Sequence, residues 1–133
     1  MIESENWVWF VEAKFKSDIS KRTTTRETRD QILRNLDVGS NYAGVRPFHF
    51  TLLLTDTGRS KLGVDKVREY QDLNRVRRLL PHRADQARNL ASVTLLEWRS
   101  IGALLERASQ AEDPYEKLVS TRALEWMRKK GLA

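Results

Sequence analysis

Glu12 and Lys14 are the residues of this chain whose types and spacing best suit chemistry. In WVWFVEAKFKSD, residues 7–18, five apolar residues run into an acid and an ammonium two positions apart. On a strand, positions i and i+2 share a face about 6.5 to 7 Å apart. One phosphodiester fits between a metal ion on the carboxylate and the ammonium. The lysine there offers charge to a pentacovalent transition state or positions the attacking water. Spacing alone is a weak signal, because 18 acids and 8 lysines in 133 residues give about one such pair by chance, and one is found. A strand that leaves the core and passes into solvated charges explains the same pair.

The elements that must position these groups follow from periodicity. Trp7, Trp9, Val11, Ala13 and Phe15 fall on one side of a strand, and Val8, Phe10, Glu12 and Lys14 on the other. Apolar residues on both sides predict an inner strand covered by helices on each face, as in α/β folds. Glu5-Asn6 suits a two-residue turn, so the chain is expected to open as a hairpin. In that register paired positions sum to 11, with Glu3 opposite Val8. Threonines 23–25 can cap a helix whose stripe is Ile32, Leu33 and Leu36, with Gly39 as its stop. VRPFHFTLLLTDTG, residues 45–58, then predicts a second buried strand, and strand, helix, strand implies a right-handed parallel crossover.

Residues 57–133 are expected to be helical. Val67, Tyr70, Leu73, Val76 and Leu80 recur at helical spacing until Pro81, and a short helix through Ala84, Ala87 and Leu90 is expected after it. Thr94 and Glu97 suit a capping box, with Val93 stapled against Trp98. Asp113, Pro114 and Glu116 open a last helix that Gly131 ends, and its stripe of Tyr115, Leu118, Val119, Ala123, Trp126 and Met127 is expected to face a core.

Composition bounds the rest. A chain of 133 residues suits one domain, and 40% hydrophobic with 32% charged residues is a globular balance. Neither an apolar run of spanning length nor a signal-peptide pattern is present in the sequence, so a cytoplasmic protein without membrane partners is expected. With no cysteine, a metal would be held by oxygens or by His49 and His82. A net charge of +6 favours a polyanionic partner, with nucleic acid the default. His49 and His82 stand 33 positions apart without an acid pattern, and His49 is expected as a hydrogen-bonded core residue. Arg75, Arg77, Arg78, Arg83 and Arg88 form either a second basic patch or simply a wet helix face. Trp98 and Trp126 sit on apolar stripes and are expected in packing.

FVEAKF at the end of an apolar strand, preceded by a hairpin and followed by RDQILRNLD on a helix, resembles the core of the PD-(D/E)XK nuclease superfamily. The likeness covers residues 1–56. It implies an α/β fold with a restriction-endonuclease-like mixed β-sheet core flanked by helices, with the helical C-terminal half packed on it. It also implies a metal-dependent DNA nuclease in which Glu12 and the Ala13 carbonyl bind Mg²⁺ or Mn²⁺, Lys14 is catalytic, and Gln31 on the following helix sits near the site. The tyrosine that accompanies this glutamine in the RecB-like subgroup is Asn35 here.

The family's other ligand, an aspartate often after proline on the neighbouring strand, is missing. Glu3 points to the right face but lies about 13 Å along the strand from Glu12, too far to share an ion held at about 2.1 Å. Glu27, one turn ahead of Gln31, is a candidate displaced ligand, or a solvated first-turn acid. Metal affinity is therefore expected to be weak. Either the natural chain begins further upstream, or the domain has lost cleavage and kept binding. Lys16, Lys21, Arg22 and Arg26 follow the motif and are candidate contacts to DNA phosphates. The competing reading is a non-catalytic DNA-binding or protein-interaction module on the same fold, and a homodimer or protein partner stays open.

Overall fold

The computed structural model describes residues 1–15, 17–19, 29–83 and 85–133, with Gln86 by its backbone only. Met1–Leu95 and Leu96–Ala133 form two compact units. The first carries a sheet of order β1-β2-β3-β4. Strands β1 (Ile2–Glu3) and β2 (Val8–Lys14) make the expected hairpin, with Ile2 opposite Trp9 and Glu3 opposite Val8. The Ser4 amide closes its turn by donating to the Trp7 carbonyl at 2.9 Å. Strand β3 (Phe48–Leu54) lies parallel to β2, from Val8 opposite Phe48 to Lys14 opposite Leu54. The crossover between them holds helix α1 (Gln31–Ala43). The result is a mixed four-stranded sheet in an α/β fold.

Alternation along β3 decides where the core sits. Phe48, Phe50, Leu52 and Leu54 are fully buried and pack in one cluster with Ile32, Leu33 and Leu36 of α1. Val64, Val67 and Tyr70 of α2 (Lys61–Tyr70) and Val76 of α3 (Leu73–Leu79) join the same cluster. The opposite face carries Trp9, His49 and Thr51 and is open in a recess of about 430 Å³. Helices on both faces of β2 are therefore not found among the described residues of this unit. β2 is inner by its pairing, and its second face is lined by Trp and Thr side chains that bond across strands: Trp9 Nε1 donates to Thr51 Oγ1 at 2.8 Å, and Thr51 Oγ1 meets Thr94 Oγ1 at 2.7 Å.

Several boundaries differ from the sequence expectation. The threonines at 23–25 lie outside the described residues; the cap of α1 is Asp30, whose Oδ1 accepts from the Leu33 amide at 2.9 Å. Gly39 does not stop α1, which runs on to Ala43 with Gly44 at φ 63° as its left-handed C-cap. Gly39 serves a close approach instead: a Cβ built there would lie 2.0 Å from Phe48 Cζ. The stripe from Val67 to Leu80 is split, because the Asp72 carboxylate accepts from the Asn74 and Arg75 amides at 3.0 and 3.1 Å and caps a separate helix.

Past Pro81 the expected helix is replaced by 3₁₀ turns at Pro81–Arg83 and Gln86–Asn89, and then by β4 (Leu90–Glu97). The residues 57–133 are thus not wholly helical. Thr94 forms no capping box because its hydroxyl bonds Thr51 and the Phe50 carbonyl, and Val93 is buried in the core rather than stapled to Trp98.

The second unit is a helical pair, α4 (Trp98–Ala108) and α5 (Pro114–Lys129). Asp113 caps α5 as expected, accepting from the Glu116 amide at 2.7 Å. Its buried face differs: Ser120, Leu124 and Met127 are buried, whereas Tyr115, Leu118, Val119 and Trp126 are exposed. Gly102 of α4 allows the chain end to approach closely: a Cβ there would lie 2.7 Å from Ala133 Cβ and 3.8 Å from Met127 Cε.

Candidate functional site

Glu12 and Lys14 leave the C-terminal end of β2 on the face that α1 covers. Even-numbered residues of β2 share this side, so Phe10 packs edge-on against Phe48 at 5.2 Å while Glu12 and Lys14 continue the row toward the rim. Lys14 Nζ lies 3.1 Å from Glu12 Oε1, and their side chains keep 17% and 26% of their exposure. Gln31, the first residue of α1, donates from Nε2 to the same oxygen at 2.7 Å. Asn35, one turn further, donates from Nδ2 to Oε2 at 3.2 Å. Both oxygens of one carboxylate are therefore held in place by a lysine and two amides.

Asn35, named from the sequence only as standing in place of the subgroup's tyrosine, is the added contact. Its signal was available, since i and i+4 of a helix share a face. The same face of α1 ends at Tyr42, which donates to Glu3 Oε1 at 3.0 Å; Arg46 pairs with Glu3 Oε2 at 3.2 Å. Glu3 thus belongs to a rim contact with Tyr42 and Arg46. Glu27, Lys16, Lys21, Arg22 and Arg26 lie outside the described residues. Among the described residues no group of three or more His, Cys, Asp or Glu is placed to hold a metal.

The backbone adds an oxygen. Val8 donates its amide to the Pro47 carbonyl beside β3, and alternation along β2 turns the Ala13 carbonyl to the other edge. On that edge β1 pairs only as far as Trp9, so Ala13 lies beyond its cover. Glu12 and Asn35 also line a cleft of about 120 Å³ with Met1, Phe10, Val11 and Phe50. The larger recess around Trp7 and His49 lies on the opposite sheet face, and its polar groups bond to one another: His49 Nδ1 meets Ser92 Oγ at 2.8 Å.

What orients α1 is a second set of contacts at its start. Buried Asp30 caps the helix and accepts from Tyr70 Oη at 2.5 Å, with Lys66 Nζ 3.6 Å away. Burial and the Asp30 carboxylate raise the Tyr70 hydroxyl above the ordinary tyrosine range, so it stays a donor. Asp18 carries a parallel duty, accepting from the Leu62 and Gly63 amides at 3.0 and 2.9 Å at the start of α2. The Asp30 contacts tie the start of α1, where Gln31 sits, to α2.

The arginines outside the motif are mostly paired. Arg75 meets Glu69 at 2.7 Å, Arg78 Asp72 at 3.8 Å and Arg88 Asp85 at 3.6 Å. His82 reaches not the nearby Asp85 but Asp37 on α1 at 3.1 Å, where Arg29 and Arg83 also converge at 2.5 and 2.8 Å. Burial opposes ionisation of Asp37, but hydrogen bonds from Arg83 and His82, the His82 charge and Arg29 outweigh it and hold the carboxyl below its ordinary range. A carboxyl depressed on folding adds stability that is complete above its unfolded pKa, about pH 4, and is lost as pH falls through the folded value. Urea stability is therefore expected to drop on acidification below about pH 4, and Asp37→Asn to flatten that slope while costing about 2 kcal/mol at pH 7. Urea midpoints of both proteins at pH 7 and in steps below about pH 4 check this.

No protein family, curated protein or solved structure matches this chain.

Proposed function

We propose that this chain is a restriction-endonuclease-like domain that hydrolyses DNA phosphodiesters with a weakly bound Mg²⁺ or Mn²⁺ at Glu12. The carrying observation is the shared placement of Glu12 and Lys14 at the rim of an inner strand, with Gln31 delivered to the same carboxylate by the crossover helix. The donor set fits the ion: the Glu12 carboxylate and the Ala13 carbonyl would offer hard oxygens, and the Asn35 amide carries a third beside them. Bound there, the ion supplies Lewis-acid polarisation of the phosphate and a more acidic water. The chain does the rest. Lys14 holds its ammonium where charge grows on the phosphoryl oxygens, Gln31 fixes the carboxylate rotamer, and the +6 balance attracts the polyanion.

A second reading, DNA binding without cutting, is favoured by one observation: both Glu12 oxygens already accept hydrogen bonds. The test is cleavage of a DNA duplex in Mn²⁺ by the wild type, with and without the residues that precede Met1 where such exist, against Glu12→Gln. Loss of cleavage by about 10³-fold in the variant is expected. Equal rates would remove Glu12 from catalysis, and no cleavage in any protein despite salt-dependent DNA affinity would leave the binding reading standing. Absence of salt-dependent affinity would point to a protein-interaction module instead.

A further inference from the structure

The single carboxylate at the site leaves a ligand to be found. Glu12 and Asn35 both line the cleft of about 120 Å³, with Met1, Phe10, Val11 and Phe50 as its apolar walls, and Asn35 meets Glu12 Oε2 while Lys14 and Gln31 approach the other oxygen, Oε1. At about 30 Å³ for each water, such a space admits an ion with part of its hydration shell. Mg²⁺ and Mn²⁺ retain several waters in this way.

Asn35 stands at the distance such an ion requires. Two oxygens at adjacent corners of an octahedron with bonds of about 2.1 Å are about 3.0 Å apart. Asn35 Nδ2 is 3.2 Å from Glu12 Oε2. The terminal amide torsion is broad and nearly two-fold, so a half-turn exchanges Nδ2 and Oδ1 with little displacement of either site. Before the turn Asn35 is a donor that holds the empty carboxylate; after it, a carbonyl oxygen stands beside that carboxylate.

We propose that Asn35 is the second side-chain ligand of one divalent cation at Glu12, its amide turning from donor to ligand as the ion enters. The assignment rests on the metal-dependent reading above and deepens it. Asn35 supplies an oxygen without charge, so the pair offers one negative charge to a dication, and affinity stays in the weak range expected of few charged ligands. The positive Lys14 is kept at the other oxygen, where it does not compete for the same lone pairs.

The test titrates Mn²⁺ into the whole chain without DNA and follows the electron paramagnetic resonance signal of the free ion. Asn35→Asp is expected to tighten binding by about tenfold, Asn35→Leu to weaken it by about tenfold, and Glu12→Gln to remove it. Because the two Asn35 variants move in opposite directions, a fold defect in the leucine variant leaves the aspartate variant decisive. Mn²⁺ affinity unchanged in Asn35→Asp, or absent in it at millimolar Mn²⁺, overturns the assignment. DNA cleavage separates the two proposals. Cleavage that needs Glu12 but is indifferent to Asn35 sinks this inference alone; tight Mn²⁺ binding by Asn35→Asp with no cleavage by any form sinks the nuclease reading alone.

Discussion

Lys14→Met is expected to slow phosphodiester cleavage by about 10³-fold, or about 4 kcal/mol of transition-state stabilisation, while duplex affinity changes by no more than about twofold. The asymmetry follows from where the charge acts. An ammonium aimed at oxygens that gain charge only in the transition state contributes little to ground-state binding. Methionine keeps the stem volume of a side chain that is only 17% exposed. Glu12 is not left bare, since Gln31 and Asn35 still donate to its two oxygens. Fold stability is therefore expected to stay within about 1 kcal/mol. Lys14→Arg should recover little, because a planar fork does not replace a point charge. Single-turnover rates in Mn²⁺, set beside duplex affinity, decide the matter. A rate within tenfold of wild type would remove Lys14 from catalysis.

A large effect on stability is expected at Gly39. On helix propensity alone, Gly39→Ala should gain about 1 kcal/mol. The added Cβ would lie 2.0, 2.5 and 2.8 Å from three atoms of the Phe48 ring. That ring is fully buried and set edge-on to Phe10 at 86°, so it has no free volume to enter. Overpacking of this kind costs about 3 kcal/mol, and it outweighs the propensity gain. A net loss of about 2 kcal/mol is expected. Urea denaturation measures it, and Phe48→Leu in the same background should restore part of the loss. A stabilised Gly39→Ala would mean that α1 stands further from β3 than described.

Much of the first unit was legible because β-pairing is local arithmetic. The Glu5-Asn6 turn fixed the hairpin register, and alternating Phe48, Phe50, Leu52 and Leu54 gave the buried side of β3. What escaped depends on partners distant in sequence. β4 hides in LASVTLLE because Thr94 and Glu97 suit a helix start equally well, and the Thr94 hydroxyl is claimed by Thr51 and the Phe50 carbonyl, 43 and 44 positions away. Gly39 resembles a helix stop until Phe48 is seen against it. On α5 a long apolar stripe obscured which side is packed, because the chain buries Ser120 and leaves Trp126 half outside. At the site, Glu12, Lys14 and Gln31 were found from order along the chain, whereas the Asn35 contact needed the helix phase relative to β2. The His82 contact with Asp37 crosses 45 positions and leaves no local trace.

The parallel pairing of β2 with β3 sets the order of events in folding. Every β2 residue meets a partner 40 positions later, from Val8 with Phe48 to Lys14 with Leu54. Closing so long a loop precedes any reward from the ladder, while the β1–β2 turn and α1 need only neighbours and form in microseconds. The carboxylate, the lysine and the two amides thus assemble late, after the slow closure. Any chemistry measured at Glu12 therefore reports on chains in which the 40-residue closure is complete.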